Sequence, residues 1–289
     1  MYSELKKDAP RWAIGRAGGR RLDHAIGESG MTILELLIVT IIGLAVTSAA
    51  LGAYVRMNDQ SVMQDQIVEM EQSGRAAERV LSQRIRMAGF GLPTKLAPMT
   101  GQDTNPDTIT VTALDPPMCQ GYMSAAMINP TSTVVCAGSD LSCFAPSMWA
   151  YIYDPVADTG EYFQVTAIYG GPALAHDAHP LSRLYPSGSQ VSHIEQFSYY
   201  VDRSDTAHPT LMERPMGLPS AAYAENIERL DFFYVMQSGD TVSAPAVPRK
   251  VRNVLVRLVA RSPRVDNTME HDYRRRIFSF NVSVRNLEF

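Results

Sequence analysis

The feature that most constrains this chain is a membrane-length apolar run over residues 31–55, with one carboxylate, Glu35, near its start. As an α-helix this run would rise roughly 37 Å, more than the roughly 30 Å of a bilayer's hydrocarbon core. An ionised carboxylate in such a span costs about 2.5–3.5 kcal/mol on insertion scales, so a sequence that keeps one usually has a use for the charge. The run predicts a transmembrane helix with a functional glutamate.

A polar leader precedes the apolar run and ends at Gly30. Its basic residues are Lys6, Lys7, Arg11, Arg16, Arg20 and Arg21, and its acidic residues are Glu4, Asp8, Asp23 and Glu28. The positive-inside rule therefore places residues 1–30 in the cytoplasm and sends the chain after about residue 55 across the membrane. A plain signal anchor with an incidental glutamate is an alternative. A secretory signal peptide fits less well, because signal peptides have a short apolar region that is removed, whereas the apolar run of this chain is long.

Gly30, Met31 and Glu35 together resemble the class III signal of type IV pilins and pseudopilins. In that family a prepilin peptidase cuts after the glycine, the new N-terminal residue is methylated, and the fifth mature residue is glutamate. Glu35 is fifth counted from Met31. The resemblance implies cleavage between Gly30 and Met31, and a role for Glu35 in assembly.

The helix is predicted to continue well past the membrane segment. No proline lies between residues 57 and 88, and a stripe with helical spacing runs through Met63, Ile67, Met70, Gly74, Ala77, Leu81, Ile85 and Ala88. Gly89, Gly91 and Pro93 are the expected stop. The mixed spacing and the small residues favour packing on a sheet over a coiled coil.

Four further segments resemble the PilW-type minor pilins and the related J-type minor pseudopilins. They are residues 74–91 (GRAAERVLSQRIRMAGFG), 225–234 (ENIERLDFFY), 251–262 (VRNVLVRLVARS) and 274–286 (RRRIFSFNVSVRN). The similarity covers roughly residues 22–91 and 192–289, and no motif is recognised in 92–191. Abundant pilins resemble one another in a proline near mature position 22, where this chain has Gly52. That departure favours a scarce subunit at the filament tip.

The sequence after the helix predicts a β-rich region. Residues 108–113, 149–153, 162–169 and 194–201 are strand candidates rich in β-branched and aromatic residues. Residues 253–260 are apolar on both faces, which predicts a central strand covered on each side. Phe278, Phe280, Val282 and Val284 alternate with polar residues, as in a half-buried strand. Proline-containing loops are expected at 92–106, 115–147, 171–190, 204–222 and 238–250.

The predicted fold class is α+β: a pilin-like long N-terminal helix, its first half transmembrane, packed on a mainly antiparallel sheet. The predicted domains are a cleaved leader over 1–30, the helix over 31–90 with its transmembrane part at 31–55, and a β-rich periplasmic region over 91–289.

Three cysteines, Cys119, Cys136 and Cys143, lie in one loop-rich stretch of a chain predicted to be exported, where disulfides are permitted. Because the number is odd, one thiol is left over. We favour a bridge between Cys136 and Cys143 because only a short turn separates them, which would leave Cys119 unpaired. A bridge from Cys119 to Cys136 is the alternative.

The sequence contains no recognisable catalytic or cofactor-binding motif, so we expect neither an enzyme nor a cofactor. His176 and His179 are the one close histidine pair, and solvated loop histidines explain them better than a metal site does. Turn capping explains the pairs Asp103–Asp107 and Asp202–Asp205 better than calcium does. Arg274, Arg275 and Arg276 fit surface charge at a strand end. A formal net charge of −4 without basic clusters argues against nucleic-acid binding.

The resemblance implies a minor pilin of a type IV pilus, inserted in the inner membrane and later built into the pilus tip, which initiates assembly. The implied partners are other minor pilins, the major pilin, the prepilin peptidase, the inner-membrane assembly platform and a large tip adhesin. Two alternatives stay open: a J-type minor pseudopilin of a type II secretion system, and a signal-anchored periplasmic binding or enzymatic domain.

Overall fold

The computed structural model describes residues 32–114, 119–138, 141–170, 172–176, 180–266 and 269–287. The chain divides into two compact units, residues 1–57 and 58–289. In the first unit the described residues after Thr32 form one helical stretch. The second unit contains the rest of that helix and every strand that the structure describes.

In the described residues the secondary structure starts with one long helix, α1 (Ile33–Met87), and continues with β-strands. These are β1 (Met99–Gln102), β2 (Thr108–Leu114), β3 (Gln120–Tyr122), β4 (Val134–Val135), β5 (Trp149–Asp154), β6 (Thr159–Gln164), β7 (Ala167–Tyr169), β8 (Ala173–Ala175), β9 (Gln190–Asp202), β10 (Thr210–Pro215), β11 (Ala221–Glu225), β12 (Ile227–Met236), β13 (Thr241–Val242), β14 (Val251–Asp266) and β15 (Asp272–Ser283). A short 3₁₀ helix, Pro248–Lys250, precedes β14. One long helix followed by strands confirms the α+β class.

The described strands form three antiparallel sheets. The largest has the order β1-β2-β9-β10-β11, and the 13-residue strand β9 also pairs with β3 and β5, with β6 beyond β5. A four-stranded sheet has the order β13-β12-β14-β15, and a small one has the order β4-β8-β7. Because every described strand pair is antiparallel, the predicted mainly antiparallel region is confirmed.

The second half of α1 packs on the sheets along the predicted stripe. Met70, Ala77, Leu81, Ile85 and Ala88 are buried in one core with β1, β2, β9, β10, β12, β14 and β15, and Gly74 is buried on the same face. Gly74 allows a close approach, because a Cβ atom built on it would lie 2.2 Å from Cε2 of Phe278. The helix face predicted for a sheet is therefore the face that the sheet covers.

The helix ends where the sequence predicts. The residue after Ala88 is Gly89, whose φ of 81° lies in the left-handed region that favours glycine, and its N–H donates to the carbonyl of Thr112 (3.0 Å). A Cβ on Gly89 would lie 2.7 Å from Cδ2 of Leu287. The side-chain amide of Asn286 also donates to the carbonyl of Arg86 (3.0 Å), one of the terminal carbonyls without a partner in the helix.

One arginine joins the helix to the large sheet. Arg84 lies 3.3 Å from the Glu195 carboxylate and 3.8 Å from that of Glu213, and its guanidinium lies 3.6 Å from the centre of the Phe197 ring. Tyr199, which is fully buried, donates its hydroxyl hydrogen to Glu213 (2.7 Å). Because these partners come from β9 and β10, the network fixes the helix against both strands.

Most of the predicted strands are present, and two predictions need correction. The single strand predicted over 162–169 is instead two strands, β6 and β7, which belong to different sheets. The segment 253–260 lies in a central strand, β14, but only one of its faces is fully covered. Val254, Val256 and Leu258 are buried on that face, whereas on the other face Val259 is buried and Leu255 is 37% exposed. Its apolar outer face therefore reflects the strand propensity of Val and Leu more than burial on both sides.

A second core lies in the part of the chain where no motif was recognised. Buried residues from β4, β5, β6, β8 and the connecting loops form it, among them Phe144, Ile152, Phe163, Leu174 and Tyr185. Short strands interrupt all five of the predicted loops: β1, β3, β4, β8, β10 and β13. Strands of two to six residues leave too little periodicity in the sequence to be predicted.

Candidate membrane and assembly segment

The candidate functional segment is the N-terminal half of α1, and Thr32 starts it. The N–H of Glu35 donates to Oγ1 of Thr32 (3.3 Å), and the N–H of Leu36 donates to the Thr32 carbonyl (3.1 Å). This is the arrangement of an N-cap, in which a hydroxyl satisfies a free N–H of the first turn. The carboxylate of Glu35 lies in that first turn, where the helix dipole favours negative charge. Gly30 and Met31 lie outside the described residues.

The surface of this segment is apolar on all sides. Its large side chains are exposed, from 88% for Ile33 to 48% for Ile38, and they include Leu34, Leu36, Leu37, Val39, Ile41, Ile42, Leu44, Val46 and Leu51. A helix that is apolar on all sides is normally buried in a protein core or in a membrane. The described part of the chain thus has one helix long and apolar enough to cross a membrane.

The few polar groups in the segment suit an apolar environment. The hydroxyl of Thr40 donates to the Leu37 carbonyl (2.8 Å), and that of Thr47 donates to the Gly43 carbonyl (2.7 Å). Both donors are therefore satisfied inside the helix, as hydrocarbon requires. Glu35 is different: it is the one charged residue between Thr32 and Val55, and no described basic side chain pairs with it.

The disulfide prediction is wrong. Cys119 is bonded to Cys143, and their Cα atoms are 5.9 Å apart, while Cys136 is a free thiol. The backbone explains this choice: Cys136 follows β4, its N–H donates to the Pro172 carbonyl (2.8 Å), and its side chain is fully buried in the second core. Burial raises the pKa of the Cys136 thiol to about 11, which makes it a poor nucleophile. The short separation of Cys136 and Cys143 in the sequence was a poor guide, because it does not show that the Cys136 side chain points into the core.

The candidate histidine site is also different from the prediction. His176 is not solvated but fully buried, its Nε2 lies 2.8 Å from the Ser132 carbonyl, and its ring lies 5.3 Å from that of Phe163. His179 lies outside the described residues. Within the described ranges, no group of three or more His, Cys, Asp or Glu side chains is placed to hold a metal ion.

The aspartates singled out in the sequence accept hydrogen bonds in turns. Asp202 accepts one from the N–H of Ser204 and Asp205 one from that of Ala207, both at 2.8 Å. Asp107 does more, since its carboxylate accepts from the N–H groups of Thr104 (3.1 Å) and Phe232 (2.8 Å). Turn capping is thus seen at three of the four aspartates. The link from Asp107 to β12 joins residues far apart in the sequence, so no local signal announces it.

The three consecutive arginines are all paired with carboxylates. Arg274 contacts Asp266 (2.5 Å), Arg275 contacts Glu228 (2.6 Å) and Asp272 (2.7 Å), and Arg276 contacts Glu71 on the helix. Their charge is therefore used within the fold, and one of the three ties β15 to α1.

No protein-family model matches this chain, and no curated protein is significantly similar to it. The described residues define a structural class: an α+β protein with one N-terminal helix long and apolar enough to span a membrane.

Proposed function

We propose that this chain is a minor pilin of a type IV pilus, similar to the PilW type. It would be inserted in the inner membrane with its β-rich region in the periplasm, cut after Gly30, methylated at Met31 and built into the tip complex that initiates the filament. Its partners would be other minor pilins, the major pilin, the prepilin peptidase, the assembly platform and a large tip adhesin. Its role is structural.

The observation that carries the proposal is the lone Glu35 in an otherwise apolar, uncovered helix. The same helix continues without a break to Met87, and from Met70 onwards it has a buried face on antiparallel sheets. Such a chain needs two environments: its own sheets for the second half of the helix, and lipid or a bundle of other helices for the first half. The membrane would cover the first half of the helix before assembly, and the helical core of the filament would cover it afterwards.

Glu35 would act as a docking group in that process. Removal of residues 1–30 would leave a free amine on Met31, four residues before Glu35 in the sequence. The amine of a neighbouring subunit could meet the carboxylate when two helices reach the correct register. Opposite charges attract strongly in a low dielectric, although desolvation takes back much of the gain. The charge is then costly in lipid and neutralised on assembly.

Gly52 supports a tip position over a place in the bulk of the fibre. Apart from the neighbouring backbone of the helix itself, no described atom lies within 4 Å of the Cβ position at Gly52, and α1 is helical through it. Glycine weakens a helix by about 1 kcal/mol relative to Ala without breaking it, whereas proline would break it. A subunit at the tip does not need the helix break that the proline gives to subunits in the shaft of the filament.

Replacement of Glu35 tests the docking role. The variants are Glu35→Ala and Glu35→Gln, which keeps the size but not the charge, and Thr40→Ala is the control in the same helix. Membrane insertion, cleavage after Gly30 and recovery in sheared pili are measured separately. We expect both Glu35 variants to insert normally and to be lost from pili, while Thr40→Ala is retained. Recovery of Glu35→Gln in filaments at the wild-type level would refute the docking role.

Two alternatives are separated by other observations. A J-type pseudopilin shares the processing signal, and a genomic neighbourhood of secretion genes instead of minor-pilin genes would favour it. A signal-anchored periplasmic domain would keep its N-terminal residues, so the N-terminus of the mature protein distinguishes it from both.

A further inference from the structure

One edge of the four-stranded sheet is uncovered. β15 pairs with β14 in a regular antiparallel register from Arg276 to Ser283. The N–H of Val284 donates to the carbonyl of Arg252, its direct neighbour in that register (3.1 Å). Because hydrogen-bonded pairs alternate along an antiparallel ladder, the even-numbered residues of β15 point their N–H and C=O groups at β14. The odd-numbered residues point theirs away: Ile277, Ser279, Asn281 and Ser283.

Within the part of the chain that the structure describes, these outward backbone groups have no hydrogen-bond partner. The residues themselves are exposed, with Ile277 at 55%. On the opposite side of the sheet, the two-residue strand β13 covers only Tyr234 and Val235 of β12. Next to it Asp107 caps β12: its N–H donates to the Leu230 carbonyl (2.8 Å), and its carboxylate accepts from the N–H of Phe232. The fold thus protects the β12 side and leaves residues 277–283 of the 12-residue strand β15 open on the other, and an open strand edge is ready to pair with another chain.

The side chains of β15 indicate what kind of strand would fit. Phe278 and Phe280 point to the helix side and are only half-buried, while Ser279 and Asn281 point to the other face. A strand added along this edge places its own residues beside these in alternation. Its side chains next to the two phenylalanines should therefore be apolar, and those next to the serine and asparagine should be polar.

A basic groove lies beyond the Ser283 end of this edge. It has a volume of about 730 Å³ between α1 and the segment after β15, and its charged lining consists of Arg75, Arg79, Arg86, Arg285 and Glu78. Arg75 pairs with Glu71 at 3.5 Å. Among the described residues, no carboxylate forms an ion pair with Arg79, Arg86 or Arg285. Three exposed guanidinium groups without an ion-pair partner favour a ligand that carries carboxylates near the Ser283 end of β15.

We propose that the free edge of β15 binds an extended segment of another protein by strand addition. In that segment apolar and polar side chains alternate, and acidic residues at one end lie against Arg79, Arg86 and Arg285. Main-chain hydrogen bonds supply affinity, and the two phenylalanines with the arginines supply specificity. The strand-addition site stands on the geometry of residues 58–289, and only the choice against a second copy as its occupant rests on the membrane anchor of the proposed function.

A second copy of the chain is a poorer occupant. Antiparallel pairing of two β15 edges requires a two-fold axis perpendicular to the sheet, which would make the two copies of helix segment 58–87 antiparallel. Two copies anchored in one membrane by their N-terminal segments must instead enter from the same side. A different protein that contributes a single extended segment meets no such restriction.

The test uses the full chain in detergent micelles and a fluorescent synthetic peptide. The peptide alternates valine and threonine over seven residues and carries two aspartates at its N-terminus, which places them near Arg285 in the antiparallel orientation. A second peptide has asparagine in place of aspartate, and a third has the same composition in scrambled order. Ser279→Pro removes one outward N–H and leaves the β14 ladder intact, as proline on an edge strand can. Ser279→Ala is its matched control.

We expect Ser279→Pro to weaken binding of the acidic peptide about tenfold relative to Ser279→Ala, which loses no main-chain hydrogen bond. Arg285→Glu should weaken binding of the acidic peptide but not of the asparagine peptide. Hydrogen exchange of residues 277–283 in the wild-type chain should slow when the acidic peptide is present, which keeps the test valid if a variant misfolds. Equal binding by the proline and alanine variants would overturn the proposal. So would no binding at about 1 mM peptide, equal binding of the scrambled peptide, or a dimer of the chain that Ser279→Pro abolishes.

Discussion

Substitution of Gly74 by alanine tests how closely the helix packs on β15. A Cβ atom at Gly74 would lie 2.2, 2.4 and 2.9 Å from three ring atoms of Phe278, so the ring must move by about 1 Å or more to restore ordinary contact. Overpacking of this kind costs about 1–3 kcal/mol. The same substitution gains about 1 kcal/mol because alanine favours the helix more than glycine does. The net expectation is a loss of about 1 kcal/mol in the free energy of unfolding.

The sign of the effect should reverse when the ring is removed. In a Phe278→Ala background the space beside Gly74 is open, so Gly74→Ala should keep its helix gain and stabilise that variant by about 1 kcal/mol. The free energies of unfolding of the wild-type chain, both single variants and the double variant form a double-mutant cycle. Urea titration in micelles, followed by far-ultraviolet circular dichroism, measures them. If Gly74→Ala has the same effect with and without the ring, the close helix–strand contact does not limit this position.

Two further predictions concern the disulfide and Asp107. Non-reducing peptide mapping should find Cys119 linked to Cys143, and Cys136 should react with iodoacetamide only after unfolding; loss of the bridge should cost about 3.5 kcal/mol in the loop-entropy model. Burial raises the pKa of Asp107, so the native state holds this proton more tightly than the unfolded state does. The free energy of unfolding of the wild-type chain should therefore fall, relative to Asp107→Asn, as the pH rises from about 4; a difference that is constant with pH would contradict this.

Features with a local cause could be predicted from the sequence. The buried stripe from Met70 to Ala88 follows from helical periodicity alone, and Gly89 ends the helix because the backbone there needs a positive φ. The strands at 108–113, 149–153 and 194–201 were visible because β-branched and aromatic residues cluster in them. In each case a few neighbouring residues carry the whole signal.

Features that depend on distant pairing could not be predicted. The partner of Cys143 is set by the pairing of β4 with β8, which turns Cys136 into the core. His176 looked like a loop residue, but the carbonyl of Ser132 and the ring of Phe163 enclose it. The role of Arg84 could not be predicted from the sequence, because its partners Glu195 and Glu213 lie more than a hundred residues away. The open edge of β15 likewise appears only when the sheet order is known.

The sequence predicts both the transmembrane helix and the role of Glu35 in the candidate segment, and the structure describes this segment from Thr32 onwards. The Thr32 cap and the uncovered apolar surface are structural findings, whereas cleavage after Gly30, methylation of Met31 and docking through Glu35 remain predictions.

The most direct test of the central claim is the N-terminus of the mature protein. The chain should be expressed with its native assembly machinery, purified from the inner membrane and from sheared pili, and analysed by intact-mass and N-terminal peptide mass spectrometry. A Gly30→Leu variant, which should block cleavage and leave the precursor in the membrane, is the control. The minor-pilin account predicts a mature chain that starts at Met31 and carries one added methyl group on its amine. A mature chain that keeps residues 1–30, or one that starts beyond residue 55, would contradict it.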